Sequence, residues 1–114
     1  MIGELIKIFR KEKGVGVLEL AERLGINRIS LFRIEKGERQ PSEQTAINAL
    51  KELGLSEEHI YAIFVFNEMM RVGALTKDIG RASARHFIDR LNKKDRNSTI
   101  LRGYFTRMLN RKRS

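Results

Sequence analysis

The 114-residue chain has no cysteine and no tryptophan, one proline and two histidines. Without thiols it can form no disulfide framework, no thiolate zinc site and no thiol nucleophile. His59 and His86 cannot build a metal centre unaided, and no cluster of carboxylates stands beside them to complete one. No metal or cofactor is therefore expected. The longest unbroken apolar run, Ile60 to Phe66, is far shorter than the roughly 20 residues that span a bilayer. Met1-Ile2-Gly3-Glu4 introduces an acid at once and no apolar h-region follows, so no signal peptide is expected. These absences predict a soluble cytoplasmic protein. No carboxylate pair, Ser/His/Asp set, phosphate-cradling glycine loop or metal cluster occurs at useful spacing, so an enzyme is not expected.

What the chain does have is positive charge, with 23 Lys and Arg against 14 Asp and Glu, a formal net of +9. The excess is concentrated at one end. Residues 1–54 carry a net of +2, residues 55–89 a net of −1 and residues 90–114 a net of +8. Such a basic segment favours a polyanionic partner, most often nucleic acid, because binding releases condensed counterions. A solvated tail that aids solubility is the other reading.

Most glycines punctuate short apolar segments, which predicts consecutive helices with tight connections. Leu5, Ile8 and Phe9 mark a first helix over about residues 2–13, stopped by Gly14. Leu18, Leu20, Ala21 and Leu24 mark a second, closed by Gly25. Leu31 and Ile34 give a third from about Arg28 to Lys36, and Ser42 precedes a fourth with Ala46, Ile47, Leu50 and Leu53. A fifth starts near Ser56-Glu57-Glu58 and runs to about Val72, apolar around most of its circumference. Beyond Gly73, Thr76 is a candidate cap for a helix carrying Ile79, Ala82, Phe87 and Leu91, and Ser98 for one carrying Ile100/Leu101, Tyr104/Phe105 and Met108/Leu109 in pairs four apart. No segment alternates like a strand, so the expected class is all-α, with domains at 1–55 and 56–114.

Val17 to Lys36 is the informative stretch. Ala21 is small where two helices would cross, Gly25 suits a left-handed helix stop, and Asn27 is a natural N-cap for the next helix. Arg28 and Arg33 then fall on its outer face. That arrangement suits a helix lying in the major groove while its partner crosses the phosphate backbone. Asn27, Ile29 and Ser30 are further candidates for contact.

From Leu5 through Arg10-Lys11-Glu12-Lys13-Gly14, Glu19-Leu20-Ala21-Glu22-Arg23-Leu24-Gly25-Ile26, Ile34-Glu35-Lys36-Gly37 and Pro41-Ser42, the chain resembles a Cro/repressor-type (XRE-family) helix-turn-helix domain. The opening residues are also similar to SinR-type repressors. The resemblance implies a five-helix lambda-repressor-like DNA-binding domain with a helical C-terminal extension, and a sequence-specific transcriptional regulator, most simply a repressor. It implies an ion pair between Arg10 and Glu35 and an approach to phosphate by Arg39 and the start of the fourth helix. The family's usual Ser-Gln at the start of the second helix is replaced here by Gly16 and Val17. Phe32 stands where a small polar residue is more usual, either to touch thymine methyls or to pack against a neighbour or partner subunit. The expected partners are double-stranded DNA and a second copy of the chain, with residues 60–109 as the dimer interface, because one recognition helix reads too few base pairs. The basic end, with Arg102, Arg107, Arg111, Lys112 and Arg113, could extend the DNA footprint or dock an acidic antagonist protein. An antitoxin-like protein whose C-terminal half neutralises another protein is the alternative from a different class.

Overall fold

Short apolar stripes separated by glycine stops fold into seven α-helices in the computed structural model, which describes residues 1–111. In order they are α1 (Ile2–Glu12), α2 (Val17–Leu24), α3 (Arg28–Glu35), α4 (Glu43–Glu52), α5 (Glu57–Arg71), α6 (Asp78–Asp89) and α7 (Arg96–Arg111), with a 3-10 turn at Ala74–Thr76. Among the described residues there is no strand, and the chain is all-α as expected. Lys112 and Arg113 of the basic end lie outside the described residues.

The chain divides into two compact units, Met1–Ser56 and Glu57–Ser114. In the first, α1 packs on α3 and α4, and α2 on α3 and α4. Leu5, Ile6 and Phe9 of α1 meet a core completed by Leu20, Ala21, Leu31, Ala49 and Leu50, all essentially inaccessible to water. Gly3 lets α1 come close: a Cβ there would stand 1.9 Å from the Ile34 carbonyl oxygen. The α2 stripe differs from its expected one. Leu18 is 53% exposed, and the inward set is Leu20 and Ala21, flanked by half-buried Val17 and Leu24, which keeps the helical period.

α5 groups with the second unit. Its residues His59, Ile60, Ile63 and Phe66 are buried, and α5 packs on α7, α6 and the 3-10 turn. Phe66 and Phe105 stack with centroids 4.3 Å apart, and Tyr104 meets Phe105 edge-on. Gly80 seats α6 against the 3-10 turn, where a Cβ would lie 1.8 Å from the Ala74 carbonyl oxygen. That contact sets the rotation of α6. Ala84 and Ile88 turn inward, whereas Ile79 and Ala82, expected inside, are exposed.

The two expected caps in this unit also differ. Thr76 ends the 3-10 turn and donates its hydroxyl to the Gly73 carbonyl, while Lys77 occupies the cap position of α6 with no side-chain bond. Asp95, not Ser98, caps α7: its Oδ1 accepts from the amides of Asn97 (2.9 Å) and Ser98 (3.2 Å). The Ser98 hydroxyl donates to Asp95 Oδ2 at 2.6 Å, and His59 Nε2 lies 2.8 Å from the same oxygen. Bonded first by the Ser98 hydroxyl and then by His59, the Asp95 carboxyl is held down at about 2.

Two predictions follow from these contacts. Alanine at Gly3 or Gly80 should destabilise the protein by about 1–3 kcal/mol or more, because backbone must move to admit the methyl. Gly103→Ala, whose methyl meets only the far end of Arg107 at 3.4 Å, should instead be neutral or gain up to about 1 kcal/mol from helix propensity. Denaturant unfolding of the three variants checks this. The depressed Asp95 means that its contribution to stability is fully present above the unfolded value of about 4 and is lost as pH falls from there toward 2. Asp95→Asn should therefore be less stable than the parent at neutral pH, with the gap closing over that acid window in pH-dependent unfolding curves.

Candidate nucleic-acid interface

The turn between α2 and α3 is built from local chemistry. Gly25 takes the left-handed conformation (φ 67°, ψ 29°) that ends α2, and Ile26 leads to Asn27 in extended geometry. Asn27 Oδ1 accepts from the Ile29 amide at 2.6 Å, which starts α3. α3 buries Leu31, Ile34 and Glu35, leaving Arg28, Ile29, Phe32 and Arg33 on the outer side.

The orientation of that side is fixed from behind. Arg10 donates from Nε to Glu35 Oε2 at 2.8 Å and from Nη2 to Glu35 Oε1 at 2.9 Å, a two-pronged pair that is almost entirely buried. Its Nη1 donates to the Val15 carbonyl at 2.9 Å. One guanidinium thus joins α1, the α1–α2 connection and the end of α3.

The loop after α3 folds back onto the flank of that helix. Arg39 Nη1 donates to Ser30 Oγ at 3.0 Å, and Ser42 Oγ accepts from the Thr45 amide at 3.1 Å to cap α4. The link from Arg39 to Ser30 joins two residues singled out separately from the sequence. Arg28 and Arg33 differ from these anchored arginines: among the described residues neither guanidinium group makes a hydrogen bond or ion pair. Phe32 is 47% exposed with the Lys36 ammonium 5.1 Å from its ring centroid, and Ile29 is 56% exposed.

Val17, at the start of α2, lines an open groove of about 490 Å³ together with these two side chains and Arg28, Arg33 and Glu38. Gly16 caps α2 without a side-chain bond. The periodicity of α2 alone could not reveal Val17 as a wall of this groove, since the groove exists only once two helices are packed.

A helix-turn-helix family model matches residues 6–60. A protein of Methanothermobacter thermautotrophicus described as an uncharacterized HTH-type transcriptional regulator is 42% identical over 64 residues, covering 56% of this chain and 90% of that one. The chain belongs to the helix-turn-helix family of transcriptional regulators. No solved structure gives a significant match.

In this helix-turn-helix protein no helix is long and apolar enough to cross a membrane, and no group of three or more metal-ligating side chains assembles, among the described residues. One cluster absent from the sequence spacing does assemble in the second unit. Ser98, His59 and Asp95 meet, but the serine and the carboxylate both approach His59 Nε2, and the serine hydroxyl bonds the carboxylate directly. A nucleophilic triad needs serine and acid on opposite ring nitrogens. The cluster therefore fastens the start of α7 to α5. His86 is exposed.

Removing either partner of the buried pair strands a charge. Arg10→Ala and Glu35→Ala should each cost about 3–5 kcal/mol. The double variant should cost clearly less than their sum, because neither charge is then left alone. Chemical denaturation of the four proteins in the cycle measures this.

Proposed function

We propose that the protein is a sequence-specific DNA-binding transcriptional repressor that acts in the cytoplasm as a homodimer and occludes a promoter. The observation that carries this reading is the outer face of α3, where two guanidinium groups without protein partners flank exposed side chains on a helix whose other side is fully packed. Placed in the major groove, Arg28 and Arg33 reach guanine O6 and N7 or adjacent phosphates, with Asn27 and Ser30 beside them. Arg39 and the free amides at the start of α4 serve phosphate, since a helix N-terminus attracts anions. No catalytic step is assigned.

The dimer reading rests on unit 2, where Tyr61, Val72 and Ile79 are 69%, 59% and 84% exposed. In this reading residues 57–114 are the dimerisation module, and the two recognition helices stand about 34 Å apart, one DNA turn. The basic α7 residues Arg107 and Arg111 remain exposed, available to backbone phosphate or to an acidic antagonist protein.

Selecting bound fragments from random duplex DNA tests the reading. The expected product is a pair of inverted half-sites with centres about one turn apart. Arg28→Ala or Arg33→Ala should cost about 1–3 kcal/mol and relax preference at one position if that arginine reads a base. If it touches phosphate, binding should weaken evenly across sequences and the salt slope should fall by about one. Lone half-sites would remove the dimer, and no enrichment would remove the regulator.

A further inference from the structure

We infer that the groove between α2 and α3 is a thymine-methyl site, so that the DNA this protein selects carries thymine where Ile29, Phe32 and Val17 converge. The inference rests on the reading of α3 as the DNA-recognition helix and names what that helix reads. Single exposed apolar residues on a protein surface are ordinary. Here three line one groove, from two helices, on the face proposed to meet DNA.

The chemistry of the groove selects the occupant. Three of its lining residues, Val17, Ile29 and Phe32, have hydrocarbon side chains that offer no hydrogen-bond group to a base edge. In the major groove the apolar feature of a base pair is the C5-methyl of thymine. An apolar peptide in the same place would strip water from the unpartnered guanidinium groups of Arg28 and Arg33 in the same lining, with nothing to replace it. Duplex DNA supplies both needs at once, methyls for the apolar side chains and phosphate or guanine acceptors for the arginines. The acid in the lining, Glu38, is offset by Lys36, whose ammonium lies 3.7 Å from it.

The spacing also fits. Ile29 and Phe32 are three residues apart, roughly 4.5 Å along a helix axis, against about 3.4 Å between stacked base pairs. They therefore address neighbouring base pairs.

Uracil tests this, since it differs from thymine only by the missing methyl and keeps every hydrogen-bonding group. Duplexes from the random-DNA selection are remade with uracil at one thymine at a time, and affinity is measured with the unaltered full-length chain. The expected result is a loss of about fourfold at each methyl seated in the groove, from roughly 0.8 kcal/mol per buried carbon group, and none at other thymines. Phe32→Ala or Ile29→Ala should abolish the difference between thymine and uracil at the matching position. Sequence-specific binding that ignores uracil at every position overturns the thymine-methyl site and leaves the regulator standing. Absence of any sequence preference overturns the regulator itself.

Discussion

The buried pair between Arg10 and Glu35 is the constraint on which the rest of the N-terminal unit depends. Neither residue is where local preference alone would put it. A carboxylate in the last turn of a helix opposes the dipole, at a cost of about 0.3–1 kcal/mol, and Glu35 is the final residue of α3. A guanidinium on the inner face of α1 has no place in an apolar core unless its charge is answered there. Each resolves the other's difficulty, and the third bond to the Val15 carbonyl leaves the guanidinium little freedom to rotate. Such a pair adds little net stability over a well-packed apolar substitute, but it specifies one geometry.

That geometry propagates outward. With Glu35 tied to α1 and Ile34 pressed against Gly3, α3 can neither rotate about its axis nor lift from α1. Its opposite side is then fixed as the row Arg28, Ile29, Phe32 and Arg33. The Asn27 cap fixes where α3 begins, and the Arg39 bond to Ser30 ties the following loop to the flank of α3. Packing from the far side thus determines a surface that makes few contacts of its own.

How legible this was in the chain depends on the range of the interaction concerned. Gly25, Asn27 and Ser42 act on residues two to four positions away, and sequence alone places the helix boundaries they set. Ser98 and Thr76 were plausible caps by the same rule and failed it for different reasons. Asp95, three residues earlier, takes the amides of α7, and the Ser98 hydroxyl is drawn to that carboxylate within reach of His59, a residue 39 positions away. Thr76 turns its hydroxyl back to the Gly73 carbonyl inside the 3-10 turn. The rotation of α6 was hidden because the contact of Gly80 with Ala74 is made by backbone, which leaves no apolar signature to count. The outward arginines were legible as residue types, whereas the groove beside them required α2 and α3 to be packed together.

Charge and apolar surface carry different duties in the proposed regulator, and their magnitudes keep the two apart. A net charge of +9 draws the protein to any DNA, with an affinity that falls steeply as salt rises and that carries no sequence information. Part of that charge is already committed to the fold: Arg10 holds α3, and Arg81 donates to the carbonyls of Leu75 and Leu109. What remains holds the duplex, and contributes to choice only where Arg28 or Arg33 meets guanine instead of phosphate. Choice requires contacts that differ between base pairs by about 1–3 kcal/mol each. Ile29, Phe32 and Val17 are suited to this because contact with a methyl is short-ranged and is not screened by salt. Replacing the apolar residues by more arginine would raise general affinity and give up the thymine contacts, since added charge that meets phosphate binds every sequence alike.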